Sequence, residues 1–397
     1  MPAKRLGPRA LRLPQELIDA IVDELRDDSS CLAACSKTAK TFRVPCHRWI
    51  FREMVIHTDE SGYHNTYRRA AELLKSSPDI EIYVHNITAP WPTEGKDMRA
   101  FASFLRGLRS VQRLTISNKA SVSLGPISTS GLNSALSNII SLASLNRLDL
   151  MNIADIPSSL IYHAVSSVRT LALDISMDHN NLTRLSPLQP QLEHLILSSR
   201  CTFYLGHFIS SLQRDGYFQN LQRLTLSLQG KEDGYHELFN SLPATLRRLE
   251  IHSFFSTVIS ISKVAGLQFL ELGFNIGFAR SLPPNLDDIV SKLPKFAPLL
   301  ETLVFTVRII PRIPEISWAE HDAWPLFDIG FLERRELPRL QNVTCCLQLT
   351  MNYSHDSGIS YSGFVTVMEK KLRGLLGTDM IHFVRGNFSA SLQEHVL

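Results

Sequence analysis

Long apolar runs are missing from this 397-residue sequence, and their absence bears on the class of protein. No stretch approaches the ~18 consecutive apolar residues of a membrane-spanning helix. The richest stretches, residues 254–261 and 299–310, are short and contain polar residues. A membrane partner is therefore not expected.

Cysteine is also scarce, at six residues in the whole chain. That density is too low for a disulfide scaffold, so we expect reduced thiols and a cytoplasmic or nuclear location. Residues 1–12 include four basic side chains with no apolar segment behind them, so a secretory signal is not expected.

A strong net charge is lacking as well. The 41 Lys and Arg residues nearly balance the 38 Asp and Glu residues, which leaves +3. Dedicated nucleic-acid binders usually contain a strongly basic domain, so no nucleic-acid partner is expected. Hydrophobic residues make up 44% of the chain, which is enough for a large core and excludes overall disorder.

What the sequence does contain is a six-residue pattern, apolar-x-x-apolar-x-apolar, that occurs ten times between residues 84 and 345. The alternating apolar residues indicate β-strands, and helix-like stretches such as residues 98–108 and 132–142 fill several gaps. The fourth positions of the ten copies are Ile87, Leu114, Leu148, Leu171, Leu195, Leu224, Leu249, Leu270, Leu303 and Val343.

A strand and a helix every ~20–30 residues are typical of leucine-rich-repeat solenoids. We therefore predict an α/β fold in which a curved, leucine-rich-repeat-like solenoid has a parallel sheet and outer helices. The Asn or Cys that usually follows the strand is missing, so the repeats are degenerate. A doubly wound α/β domain is the alternative, because it also alternates strands with helices.

The first sixty residues predict three short helices. Pro14 and Glu16 suit a first helical turn, and apolar residues follow at helical spacing. Asp28 offers an N-cap for a second helix, which would include Ala39 and Phe42, and Pro45 would begin the third. The predicted regions are a basic tail at 1–10, a helical domain at 11–55, the repeats at 60–385 and a tail at 386–397. Residues 361–376 predict a closing helix, and residues 380–384 predict a last strand.

Motifs for catalysis are not found. The sequence has no glycine-rich phosphate loop and no Gly-x-Ser-x-Gly nucleophile elbow, so an α/β-hydrolase-like enzyme is the least favoured class. Cys31, Cys35, Cys46 and His47 are conceivable zinc ligands, but their spacing matches no compact zinc knuckle. Residues 320–322, Glu-His-Asp, are interpreted as a polar loop. No metal, cofactor or enzymatic activity is predicted.

The N-terminal helices resemble the F-box, in the form found in large fungal families that join it to leucine-rich-like repeats. The resemblance covers residues 11–52 and depends on the Leu-Pro-x-Glu start at Leu13 and on the apolar and aromatic positions after it. It departs from the family at Phe42, where many members have Trp, and at Ser36, where many have Arg.

The resemblance implies binding to the Skp-type adaptor of a cullin–RING ubiquitin ligase. Physical reasoning independently favours an interface, because a ~40-residue helical segment has too little core to be stable alone. The alternative is that these helices only cap the repeats. The residues carried over from the family are Leu13, Pro14, Glu16, Leu17, Ile18, Ile21, Leu25 and Leu32.

The predicted function is a non-catalytic substrate receptor that holds the adaptor with its helices and a protein target with its repeats. The alternative is a repeat interaction scaffold without ligase partnership. The apolar stripe of the first helix distinguishes the two, because exposed Leu17, Ile21 and Leu25 would favour the receptor and buried ones the scaffold.

A basic column is predicted on the outward face of the repeat sheet. Arginine suits carboxylate and phosphate groups, so an acidic or phosphorylated target is expected there. The alternative is local pairing, of Arg147 with Asp149 and of Arg248 with Glu250. The predicted target-binding residues are Arg113, Arg147, His194, Arg223 and Arg248.

Overall fold

The computed structural model divides the chain into two compact units. One contains Met1–Thr115 and Thr129–Leu145, and the other contains Ile116–Ser128 and Asn146–Leu397. The predicted three-helix domain lies within the first unit. The structure describes residues 13–57, 63–92, 95–118, 130–177, 191–198, 211–228, 242–253, 264–276, 292–309, 337–349 and 381–387.

Three helices open the first unit, as predicted. They are α1 (Gln15–Glu24), α2 (Ser29–Thr38) and α3 (Lys40–Ile50). The predicted N-cap is confirmed, because Asp28 Oδ1 accepts bonds from the backbone N–H groups of Cys31, at 2.9 Å, and Ser30, at 3.0 Å. These bonds favour the ionised carboxylate and hold the pKa of Asp28 well below its usual range.

Two details of the helix prediction are wrong. Pro14 is the residue before α1 and not part of its first turn, and its carbonyl accepts the first helical bonds. Pro45 lies inside α3, which begins at Lys40, so Phe42 belongs to α3 and not to α2. Ala39 is extended and separates the two helices. Side chains on both sides of Pro45 pack into the helical core, and this packing outweighs the loss of one backbone bond.

The rest of the first unit alternates strands and helices. Strands β1 and β2 pair in parallel with Met54 opposite Ile87, and β3 follows β2 in the sheet order. Helices α6 (Gly95–Arg106) and α7 (Ser130–Ile140) correspond to the predicted helices at 98–108 and 132–142. The elements are β1 (Glu53–Val55), α4 (Tyr63–Ser76), α5 (Pro78–Glu81), β2 (Asn86–Pro90), α6 (Gly95–Arg106), β3 (Arg113–Ser117) and α7 (Ser130–Ile140).

The second unit is built on strands β4 to β12, which lie side by side in the order of the chain. Every neighbouring pair among them is parallel. The elements are β4 (Arg147–Ile156), α8 (Ser158–Ser167), β5 (Thr170–Met177), β6 (His194–Leu197), β7 (Arg223–Leu228), β8 (Arg248–Ser253), β9 (Phe269–Ile276), β10 (Thr302–Ile309), β11 (Asn342–Leu349) and β12 (Ile381–Asn387).

This strand order disagrees with the doubly wound alternative. A doubly wound sheet reverses its strand order at a switch point, whereas this sheet never reverses between β4 and β12. Each of the ten sequence copies forms one strand, from β2 to β11. An α/β fold with a parallel sheet is therefore confirmed, and it is compatible with a repeat solenoid.

The predicted core column is confirmed within the second unit. Each leucine at the fourth position of a copy lies directly opposite that of the next strand. All of them are buried, as are the apolar residues two positions further along each strand. The column runs through Leu148, Leu171, Leu195, Leu224, Leu249, Leu270, Leu303 and Val343.

Several sequence predictions fall outside the described residues, wholly or for the most part. They are the N-terminal tail at 1–10, the C-terminal tail at 386–397, the polar loop at 320–322 and the closing helix at 361–376. Within the described part of the chain, no helix combines the length and the apolar character that a membrane crossing requires.

Candidate functional site

The three N-terminal helices share a small core of their own. Ile18, Val22, Leu32 and Cys46 are buried there, with half-buried apolar side chains of all three helices packed around them. Two of the predicted adaptor-binding residues, Ile18 and Leu32, are therefore core residues. They hold the helices together and present no surface to a partner.

Other predicted adaptor-binding residues form an exposed apolar row beside that core. Leu17 and Ile21 lie four residues apart on one side of α1, and Leu13 lies two residues before the helix begins. Leu13, Leu17 and Ile21 are 51%, 52% and 44% exposed. Pro14 and Glu16 are exposed next to them. A single exposed apolar side chain is ordinary, but three within nine residues, two of them on one side of α1, mark an unpartnered surface.

The last predicted adaptor-binding residue, Leu25, is half-buried against the helical core. The stripe that the sequence predicts as one surface is therefore two, an exposed row and a buried row on the same helix. One further exposed apolar side chain, Val44, lies on α3.

A groove lies between the polar side of α1 and helix α3. The groove has a volume of about 380 Å³, and its lining includes Asp19, Asp23 and Trp49. Trp49 Nε1 donates a hydrogen bond to Asp23 Oδ1 at 2.8 Å, and the Arg52 guanidinium lies 4.9 Å from the centre of the indole ring. The Trp49–Asp23 hydrogen bond joins α3 to α1 on the side of α1 that lines the groove.

The thiols that the sequence offers as zinc ligands lie in different surroundings. Cys46 is in the helical core, where burial raises its pKa, whereas Cys31 is exposed and its hydrogen bond to Asp28 raises its pKa. Two further thiols, outside this set of candidates, lie on β11. Cys345 is buried on the core side of the strand, and burial raises its pKa to about 12, whereas Cys346 is on the other side. No group of three metal-ligating side chains occurs among the residues that the structure describes.

The outward face of the second unit's sheet contains most of the predicted basic column. Arg147, His194, Arg223 and Arg248 occupy one register row across β4 to β8, on the opposite side from the leucine column. Arg113 lies on β3, in the part of that strand that belongs to the first unit.

The arginines of this row are paired locally, which is the alternative raised by the sequence. Arg147 Nε lies 2.8 Å from Asp149 Oδ1, and Arg248 Nε lies 2.5 Å from Glu250 Oε1. Arg223 reaches the same Glu250 oxygen from the neighbouring strand at 2.7 Å. The column is therefore a charge network and not an unpaired basic ridge.

Glu250 is the centre of that network. It is buried, and burial alone would raise its pKa. The hydrogen bond from Arg248 and the charges of Arg223 and Arg248 outweigh burial, so the pKa of Glu250 lies below its usual value. Thr225 Oγ1 donates to the second carboxylate oxygen at 2.8 Å, and the Arg248 guanidinium lies over the Phe269 ring, 3.7 Å from its centre.

The neighbouring strand places a second carboxylate directly opposite the first. Glu271 on β9 pairs in register with Glu250 on β8. Burial and the adjacent charge of Glu250 raise the pKa of Glu271, although Thr306 Oγ1 donates a hydrogen bond to it at 3.0 Å. Two adjacent glutamates on one face thus have pKa values shifted in opposite directions.

These side chains line a cavity of about 190 Å³ on the outward face of β7 to β11. We call it the arginine cavity, after Arg223, Arg248 and Arg308, which line it together with Glu250 and Glu271. Gly273 leaves room on this face for the side chain of the adjacent His252. A Cβ at position 273 would lie 2.5 Å from Nδ1 of His252, which is too close.

Arg308 is a residue that the sequence pattern does not single out. It lies on β10 three residues beyond the end of the six-residue repeat window, so the pattern does not reach it. The signal that could have found Arg308 is the alternation of side chains between the two faces of a strand. This alternation places Thr302, Val304, Thr306 and Arg308 on the same face of β10. Arg308 is 5% exposed, and burial lowers its pKa despite the opposing charge of Glu271.

Known proteins offer no family assignment for this chain. A scan of protein-family models finds no match, and no curated protein sequence matches it significantly. Function is therefore inferred from the exposed row of Leu13, Leu17 and Ile21 and from the arginine cavity.

Proposed function

We propose that this chain is a non-catalytic substrate receptor of a Skp–cullin–F-box ubiquitin ligase. The helices α1 to α3 form an F-box-like domain that binds the adaptor, and the leucine-rich-repeat-like sheet binds a protein target. The receptor brings the target close to the transferring enzyme, which is a separate subunit. This role requires no cofactor or metal in the chain and belongs in the cytoplasm or the nucleus.

The observation that carries the proposal is the exposed row of Leu13, Leu17 and Ile21. The helices already have a core of their own, so the row is not needed to hold them together. Water contact with three large apolar side chains is unfavourable by about 25 cal/mol per Å². A partner that covers the row removes this cost, and the adaptor implied by the F-box resemblance is such a partner.

The target is assigned to the outward face of the sheet. Parallel strands place equivalent side chains at regular spacing, which gives a repeat sheet a broad surface for a protein partner. Arg147, His194, Arg223 and Arg248 supply the charged row in the second unit, and Arg113 supplies a basic side chain in the first.

The decisive experiment is co-purification of the full chain with a Skp-type adaptor. Ile21→Asp places a charge in the apolar contact, where its desolvation is expensive, and should lower adaptor affinity more than tenfold. The matched control is Ile82→Asp, which makes the same change at a side chain that is 56% exposed outside α1 to α3. It should bind the adaptor like the wild type.

Circular dichroism and urea unfolding establish that both variants fold. Equal adaptor binding by the two variants would refute the assignment of α1. If the wild type recovers protein partners but never the adaptor, the chain is a repeat scaffold without ligase partnership.

A further inference from the structure

Among the described residues, the Arg308 guanidinium in the arginine cavity has no carboxylate within hydrogen-bond distance. Arg308 Nε donates to Gln348 Oε1 at 2.8 Å, and this is the only polar contact of Arg308 with another described residue. Both terminal Nη groups therefore lack a partner among the residues described, although the side chain is almost fully buried. A buried guanidinium without a counter-ion within hydrogen-bond distance is costly.

Arg223, which also lines the cavity, has a buried donor without a partner among the described residues. Arg223 Nε is buried and has no hydrogen-bond partner among the described residues, even though Nη2 of the same side chain is paired with Glu250. Glu250 is shared between Arg223 and Arg248, so one carboxylate serves two guanidinium groups. Three arginines and two glutamates line the cavity, which leaves an excess of positive charge.

The size of the cavity limits what it holds. Small-molecule sites have volumes of ~300–1,000 Å³, and the arginine cavity, at about 190 Å³, is smaller than this range. It corresponds to the volume of about six water molecules. That is room for the end of one side chain and not for a cofactor or a nucleotide.

One wall of the cavity is apolar. Met151 and Ile196 line it and form an apolar cluster with Ala172 on the same face of the sheet. A side chain with an apolar stem and an anionic end would place its stem along this wall and its oxygens among the arginines. Arginine binds carboxylate and phosphate groups by two parallel hydrogen bonds, which requires the paired donors that Arg308 has available.

We infer that the arginine cavity is a binding site for one anionic side chain of a protein target, with Arg308 as its principal ligand and Arg223 and Arg248 as additional donors. The inference rests on the proposed function, because it assigns the target to the sheet. It adds the location of the recognised group, its charge and a residue outside the predicted basic column.

The test uses the full chain and two probes. Inorganic phosphate is the first, and its binding should raise the melting temperature of the wild type, since a ligand of the folded state stabilises it. The second probe is a set of degenerate peptide pools with phosphoserine, glutamate or glutamine fixed at the centre. We expect the phosphoserine or the glutamate pool to bind and the glutamine pool not to bind.

Arg308→Gln should weaken binding of the anionic pool at least tenfold, because it removes the charge and the paired donors. Arg308→Lys keeps the charge without the planar fork and should bind at an intermediate level. The control is Arg214→Gln, a largely exposed arginine of the same unit outside the cavity lining, which should bind like the wild type.

The outcomes separate the two sources of the anion. Binding of the phosphoserine pool alone identifies a modified target, and binding of the glutamate pool as well identifies an acidic one. The inference is overturned if Arg308→Gln and Arg308→Lys bind like the wild type, or if neither phosphate nor any anionic pool binds. Adaptor co-purification is measured separately, so a failed anion site leaves the adaptor assignment standing, and the reverse also holds.

Discussion

The N-terminal helices and the repeat sheet depart from the usual distribution of side chains in opposite ways. On α1, large apolar side chains such as Leu17 lie in water. On the outward face of β8 to β10, charged side chains such as Glu250 and Arg308 are buried. Folded domains normally bury apolar groups and expose charges, so each region carries a local free-energy cost.

The two costs differ in what relieves them. An exposed apolar row is relieved by any complementary apolar surface, so its specificity must come from shape and from the polar groups around it. A buried arginine is relieved only by an anion with the correct geometry, so it provides specificity directly. The comparison suggests a constant partner for the helices and a selected partner for the sheet.

The largest effect on stability should come from the core column of the sheet. Leu249→Ala removes a fully buried side chain that is flanked by Leu224 and Leu270, and should lower the free energy of unfolding by ~2–5 kcal/mol. Urea unfolding followed by circular dichroism measures the change.

The matched variant on α1 sharpens the contrast between the regions. Leu17→Ala truncates the same residue type at a half-exposed position and should change the free energy of unfolding by no more than ~0.5 kcal/mol. A large loss from Leu17→Ala would mean that the exposed row stabilises the isolated chain, and the contrast between the two regions would fail.

Glu250→Gln should lower the free energy of unfolding by less than Leu249→Ala does. The change removes the charge that two arginines share, and it should cost about 1–2 kcal/mol at neutral pH after allowing for partial solvent screening of Arg223 and Arg248. The folded-state pKa of Glu250 is lowered, so its contribution is present above the unfolded-state pKa and lost as the pH falls through the folded-state pKa. The variant and the wild type should therefore converge in acid, and a pH-independent difference would contradict this account.

Much of the repeat sheet could be predicted from the sequence because its signal is local. Six residues suffice to show which side chains of a strand are apolar. Leu148 and Leu224 each lie opposite the equivalent leucine of the next strand, so the same local pattern places each of them in the core. The strand ends could not be predicted in this way. Arg308 lies outside the window, and its burial depends on side chains of other strands that line the same cavity.

The helices show the opposite limit. The number of helices and the Asp28 cap depend on local chemistry and were predictable. The division of the apolar stripe of α1 into an exposed row and a buried row was not predictable. Helical spacing groups Leu17, Ile18 and Ile21 on one broad face. Only packing against α2 and α3 determines that Ile18 is buried and its neighbours are exposed.

The only effect of opposite sign, a gain in stability, is expected from Glu271→Gln. Burial and the charge of Glu250 raise the folded-state pKa of Glu271. The folded state therefore binds this proton more tightly than the unfolded state does, and the wild type loses stability as the pH rises from the unfolded-state pKa through the folded-state pKa. Removing the ionisable group should stabilise the protein at neutral pH by up to about 1 kcal/mol, the cost of like charges opposite each other on adjacent strands.

The local geometry allows this gain. In the Glu271→Gln variant, the side-chain amide oxygen would still accept the hydrogen bond that Thr306 donates to Glu271, and the amide N–H groups could donate to Glu250 on the next strand. The advantage of Glu271→Gln should fade as the pH falls below the range in which wild-type Glu271 is ionised. Urea unfolding of both glutamine variants across one pH series measures the two trends together. If Glu271→Gln destabilises the protein at neutral pH as Glu250→Gln does, then Glu271 is held as a counter-ion of Arg308, and the arginine cavity is already neutralised without a target.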